Sequence, residues 1–344
     1  MLSRTANELY WMARHIERAE NTARLLDVTY RTSLMPYEVH ETGLAWADPW
    51  SVPLVTLGLA TAYYQRHPQL TAENALRFMI LDPANASSIY ECLRTARESA
   101  RAVRGAITSE MYEDLNSAWI EMRSYDYERI QANGVSDFLD WVKMRSHLFR
   151  GVTFGTMLRD EAYHFIRLGT HMERADNTAR ILDTKYHILL PSIEDVGGAV
   201  DYYQWASLLQ SLSGFEAYRK IYSDVIAPRR IAELLILRDD MPRSLHSCMN
   251  FIHDTLGILC DEQTREVERK AGELHARLHY GRTNDIMEFG LHEYLMEFLE
   301  RISELGADVS RAFLVPTYTP STDRAQPLQQ QRFSVPVRAT DSLR

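Results

Sequence analysis

Thirteen residues near the start of the chain, His15 to Asp27 (HIERAENTARLLD), return at His171 to Asp183 (HMERADNTARILD), 156 positions later. Ten of the thirteen are identical, and the other three pairs (Ile16/Met172, Glu20/Asp176, Leu25/Ile181) are mild exchanges. This pattern marks a tandem duplication, so the chain is expected to build two related halves. Weaker matches at an offset of 155 or 156 run through the rest: Trp50/Trp205, Tyr63/Tyr218, Ser88/Ser244, Cys92/Cys248 and Gly134/Gly290. The halves are expected at 1–156 and 157–314. Residues 315–344 hold four prolines and a QQQ run and read as a flexible tail, whose Arg332, Arg338 and Arg344 could dock on a partner.

Apolar residues recur at helical rather than alternating spacing in almost every long segment. Helices are expected near 3–34, 52–66, 71–82, 87–108, 110–127 and 135–156, and again near 158–190, 201–222, 227–238, 242–260, 263–280 and 285–313. Pro36 and Pro191 should end the first helix of each half. Ser88 and Ser244 sit where N-caps are useful. The fold class is therefore all-α, an antiparallel helical bundle made of two tandem repeats.

Composition narrows the function. The net charge of −9, with basic residues scattered among acids, argues against nucleic acid as a partner. Cys92, Cys248 and Cys260 form no CxxC or Cys/His cluster, so no disulfide framework or structural zinc is expected; Cys92 and Cys248 read as small core residues. Glu161 and His164 match half of a di-iron pattern, but the first half has Thr5 and Glu8 there, and His275 and His279 lack a carboxylate partner. No metal and no cofactor are expected. No eighteen-residue apolar run and no signal peptide is seen, so the expected location is cytoplasmic, with no membrane contact.

The repeated helix carries the chemistry. On a helical projection Arg14, Glu17, Glu20, Asn21, Arg24 and Asp27 form one polar face opposite Met12, Ile16, Ala19, Ala23 and Leu26. Pairs at i,i+3 and i,i+4 (Arg14–Glu17, Glu20–Arg24, Arg24–Asp27) would lace a surface, but exposed pairs contribute only ~0.3–0.5 kcal/mol each. That is too little to hold Glu17, Arg18, Asn21, Thr22, Arg24 and Asp27 fixed while the apolar Ile16 and Leu25 drifted. Two readings stay open. One is a buried polar network between the halves, where losing one partner costs roughly 3–5 kcal/mol. The other is a site for an anionic or zwitterionic ligand. Its binding residues would be Arg14, Arg18, Asn21, Arg24, Asp27, Arg174, Asn177, Arg180 and Asp183, with Glu17, Glu173, His15 and His171 as catalytic candidates.

The two HxERA(E/D)NTAR helices, the opening LSRTANELYWMARHIERAENTARLLD and the late segment GLHEYLMEFLERI (290–302) resemble the alpha-E family, a bacterial all-helical domain named for its Glu-Arg motif. That motif falls on Glu17-Arg18 and Glu173-Arg174. The resemblance implies proximity to circularly permuted ATP-grasp proteins and transglutaminase-like peptidases, and so a role in peptide synthesis or modification. The leading expectation is an accessory component of an ATP-grasp amide ligase system. Arg24 and Arg180 would clamp carboxylates of an amino-acid or peptide substrate, while Glu17 and Glu173 orient the arginines or hold an amine. The alternatives are an aminoacyl or acyl transferase using Glu17 or His15 as base, and a purely structural interaction module.

Overall fold

A computed structural model describes residues 1–34, 48–187 and 198–315. Pro36, Pro191, Arg332, Arg338 and Arg344 lie outside them. Among the described residues there are helices and no strands. The first half contains α1 (Ser3–Ser33), α2 (Ser51–Thr56), α3 (Ala60–Tyr64), α4 (Ala72–Leu76), α5 (Ile89–Ala102), α6 (Ser109–Met122), α7 (Tyr127–Asn133) and α8 (Val135–Thr156). After it come α9 (Glu161–His187), α10 (Ala199–Ser211), α11 (Phe215–Tyr222), α12 (Pro228–Ala232), α13 (Leu245–Leu259), α14 (Arg265–His279), α15 (Thr283–Phe289) and α16 (Leu291–Val309).

α1, α5, α6 and α8 pack around one another, and α9, α13, α14 and α16 do the same. The two groups meet through α1 and α9. Neighbours within each group run antiparallel: Asp27 faces Lys143 and Glu20 faces Ser146 across α1 and α8. The two motif helices instead run parallel and in register, since Arg14 reaches Glu173 and Arg174 reaches Glu17. The start of each half also crosses over. α2 packs on α9 and α10 on α1, and the Thr56 and Thr184 hydroxyls are 2.6 Å apart.

A helix with neighbours on every side must bury polar and apolar residues alike. In α1 the buried set includes Leu9, Met12, Ile16 and Leu26 but also Glu17, Glu20, Asn21 and Asp27. Local signals act where expected. Ser88 accepts from the Glu91 amide and Ser244 from the Ser247 amide, capping α5 and α13. Gly134 and Gly290 take φ of 103° and 108°, and each turns the chain into the last long helix of its group. Three expected helices are broken: 52–66 by Gly58 at φ 67°, 201–222 by Ser213 at φ 53°, and 285–313 by Gly290, which separates α15 from α16. The segments 71–82 and 227–238 each finish in one π-helical turn, Arg77–Leu81 and Glu233–Leu237. Cys92 and Cys248 are buried, and burial pushes both thiols up to about 12. No described helix is long and apolar enough to cross a membrane.

α1 and α9 approach each other tightly at Gly169, where an added Cβ would fall well inside 3.0 Å of the Tyr10 carbonyl oxygen. Gly151 on α8 faces open space. Gly169→Ala should therefore destabilise the fold by about 1–3 kcal/mol or more, whereas Gly151→Ala should stabilise it by ~0.5–1 kcal/mol. Denaturant midpoints check this, and equal behaviour of the two variants would contradict the close contact.

Candidate functional site

The Glu-Arg motifs pair with each other across the α1–α9 contact. Arg174 donates from Nε and Nη2 to the two oxygens of Glu17, at 2.9 and 2.8 Å. Arg18 does the same to Glu173, at 2.6 and 3.0 Å. Each carboxylate of one half is thus gripped in a two-pronged fork by the arginine of the other. Parallel register makes this possible: adjacent residues point 100° apart, so Glu17 and Arg18 straddle the interface and meet Arg174 and Glu173 there.

Further cations gather around these forks. Arg14 donates to Glu173 at 2.7 Å, with its guanidinium also over the Trp11 ring. Arg243, just before α13, donates to Glu17 (3.1 Å), Asn21 (3.0 Å) and Glu20 (2.5 Å). Arg150 on α8 reaches Glu17 at 3.0 Å and also Glu20, and Ser146 donates to Glu20 at 2.6 Å. Arg24 donates to Glu20 at 2.8 Å and to Ser213 at 2.5 Å and lies 3.2 Å from His147. Glu17 is 1% exposed and Glu20 0%, so water cannot replace these partners cheaply.

The electrostatics follow. Burial alone would raise the Glu17 carboxyl, but Arg174 and Arg243 outweigh it and hold the group below the usual range. Glu20 is held well below by Arg243, Arg150 and Arg24 against the same burial. Glu173, also opposed by burial, is brought down to about 2 by Arg14 and Arg18. The histidines move the other way in charge. Burial, helped by Arg18, depresses His15 to about 4, and burial with Arg174 and Arg167 holds His171 well below its ordinary value. His171 Nδ1 lies 2.8 Å from the Arg167 carbonyl, and its ring is 4.3 Å from that of Phe251.

The other expected site residues divide. Asp27 and Asp183 tie the motif helices to the last long helix of their own groups, through Lys143 (2.9 Å) and Ser136 (3.3 Å) and through His292 (2.6 Å). The side-chain amide of Asn177 is buried with no partner among the described residues. Among the described residues Arg180 pairs with Asp176, one turn back on α9. The i,i+3 pairs Arg14–Glu17 and Arg24–Asp27 do not form. Arg14 takes Glu173 instead, and Asp27 takes Arg31 at 2.9 Å beside Lys143. Arg243, Arg150 and Ser146 were not visible as site residues in the sequence. Their counterparts 156 places away are Ser87, Gly306 and Ile302, so the repeat gives no signal for them.

Beside the network, a narrow cleft of about 40 Å³ lies between α8 and α9, lined by Phe149, Arg150, Tyr163, Arg167, His171 and Arg174 among others. Arg167 stacks on Phe251 at 4.4 Å and has no carboxylate partner among the described residues. A larger cavity of about 310 Å³ borders Asp183, Lys185, Trp205 and His292.

Residues 1–314 match the Alpha-E family, described as a predicted alpha-helical domain with a conserved ER motif. The chain belongs to the Alpha-E family. An uncharacterized protein of Mycobacterium bovis and another of Mycobacterium tuberculosis are each 24% identical to it over 335 residues, covering 89% of this chain and 36% of theirs. The Alpha-E chain thus spans about a third of the length of these curated relatives. No solved structure matches it.

Stability of the Alpha-E fold should fall with pH in two stages. His15 and His171 bind protons less readily folded than unfolded, so their contribution is complete above about 6.5 and declines as the pH falls, with the share of His15 lost on descent toward about 4. The depressed carboxylates contribute fully above about 4.5, and the share of Glu173 is lost on descent toward about 2. Urea midpoints between pH 8 and 2 should show both declines, and His15→Gln should flatten the first only. A midpoint constant from neutral pH down to 4.5 would contradict the neutral, buried state of these rings.

Proposed function

We propose that this Alpha-E protein is an accessory component of a peptide synthesis or modification system, acting beside a circularly permuted ATP-grasp amide ligase. Its guanidinium rim engages the ligase or the carboxylate of an amino-acid or peptide substrate. A transglutaminase-like peptidase is a further partner of the same system, and the setting is the cytoplasm.

The observation that carries this reading is the charge balance of the motif network. Arg14, Arg18, Arg24, Arg150, Arg174, Arg180 and Arg243 surround only Glu17, Glu20, Glu173 and Asp176, seven cations against four anions. Two of these arginines, Arg150 and Arg174, also line the α8–α9 cleft, where Arg167 adds a third cation, and that cleft has room for a carboxylate group rather than for a whole substrate. The same network disfavours an independent enzyme. A general base works best with a pKa near the working pH, whereas Glu17 and Glu173 are clamped as anions and His15 sits near 4. A structural role for the forks is part of this account, because they shape the domain that presents the rim. The extra length of the mycobacterial relatives supports a domain that works joined to, or beside, another module.

The test mixes the purified chain with an ATP-grasp ligase encoded beside it and follows co-elution and ADP release with candidate amino acids. The expected result is a complex and stimulated turnover. Arg167→Ala, which strands no buried acid, should weaken both about tenfold, the loss of one charge-assisted contact. No co-elution together with unchanged turnover would remove the proposal.

A further inference from the structure

The second half holds an imidazole cluster that the motif network does not use. His246 lies in the first turn of α13, and His275 and His279 sit one turn apart at the end of α14. One ligating nitrogen of each lies within 4.8 Å of the others. The antiparallel packing of α13 on α14 brings them together, with His253 stacked on His275 at 4.9 Å.

His246 is the decisive member. It is 6% exposed, and its Nδ1 is 2.7 Å from the Leu237 carbonyl oxygen. A carbonyl only accepts, so Nδ1 carries the proton and the lone pair is on Nε2. That Nε2 is buried and has no hydrogen-bond partner. Leaving a buried acceptor unsatisfied is unfavourable, and the neighbours it meets are two more imidazoles. His275 is oriented in a similar way: its Nε2 is 2.7 Å from Asn250 Oδ1, an arrangement in which Nε2 donates and Nδ1 keeps the lone pair. Such outer contacts are what fix the tautomer of metal-binding histidines.

The first half shows that packing alone does not require histidines here. The positions 156 earlier are Tyr90, Trp119 and Arg123, and Tyr90 and Trp119 fill the space edge to face with centroids 5.0 Å apart.

We propose that His246, His275 and His279 bind one divalent transition-metal ion of the zinc class, with water completing the coordination on the solvent side. Three neutral imidazoles and no carboxylate suit zinc, nickel or copper and not magnesium or calcium. A tetrahedral ion with Zn–N distances of about 2.0–2.1 Å needs the nitrogens to draw together. His279, exposed and last in α14, is the ligand placed to move. Spacing along the chain does not reveal this site, because His275 and His279 have no third ligand nearby and His246 arrives from another helix. The ion would fasten the end of α14 to the start of α13, three residues beyond Arg243.

The experiment uses the untagged full chain stripped with chelator, titrated with Zn²⁺ by calorimetry and with Co²⁺ by visible absorption. One ion per chain should bind with micromolar or tighter affinity, and bound Co²⁺ should give the intense visible band of a tetrahedral site. His279→Ala, at an exposed position, should keep the helical circular dichroism and weaken binding at least tenfold. Cys260→Ser, which removes the partly exposed thiol, should leave binding unchanged. No saturable uptake by the folded full chain at ~100 μM ion, about a hundredfold above the expected affinity, would overturn the proposal. So would binding by the His279→Ala and His275→Ala variants as tight as by the unaltered chain.

Discussion

Two salt-bridge forks, Glu17 with Arg174 and Glu173 with Arg18, hold the rest of the structure in place. They lie on the contact between two parallel helices, each also surrounded by its own antiparallel partners. Burying ions in this way is costly, and well-packed apolar side chains often serve stability as well or better. What a fork adds is direction. Sliding one helix by a single residue turns its side chains by 100° and leaves a buried charge without a partner. The motif therefore specifies parallel orientation and register, which an apolar seam of Met12, Ile16, Ala19 and Leu26 would fix only loosely. The same reasoning explains why both members of the pair are kept in both copies: each glutamate answers to an arginine in the other half.

The likeness of the two motif helices is not carried through to the charges around them. Glu20 in the first motif is Asp176 in the second, one methylene shorter, and the two have different company. Glu20 accepts from Arg24, Arg150, Arg243 and Ser146, whereas among the described residues Asp176 accepts from Arg180. Arg150 and Arg243 have a glycine and a serine as counterparts, Gly306 and Ser87. Glu20 consequently gathers guanidinium groups that Asp176 does not, and one of them, Arg150, also lines the α8–α9 cleft. The second half departs from the first again at its imidazoles, where the first half is filled by Tyr90 and Trp119.

Much of this was legible in the residues. The spacing of apolar positions gave the helical class, and the capping roles of Ser88 and Ser244 followed from their place before apolar periodicity. The repeat pointed to a polar face too well kept to be solvated, and Glu17 and Glu173 are indeed buried. What stayed hidden was the identity of the partners. Helical geometry suggests i,i+3 and i,i+4 pairs, so Arg14 was matched with Glu17, whereas the fold offers it Glu173 on the neighbouring helix. Arg243 and Arg150 belong to other elements and leave no periodic trace. The breaks at Gly58 and Ser213 depend on positive φ, which glycine advertises and serine does not.

A pair of double-mutant cycles on folding stability tests the central claim most directly. Glu17→Gln with Arg174→Gln, and Glu17→Gln with Arg18→Gln, would be compared by denaturant unfolding. The forks predict a coupling of about 2–3 kcal/mol for the first pair, which meets across the halves, and near zero for the second, whose members are sequence neighbours. Additive effects in the first pair, or the larger coupling in the second, would contradict the reciprocal grip of the two motifs.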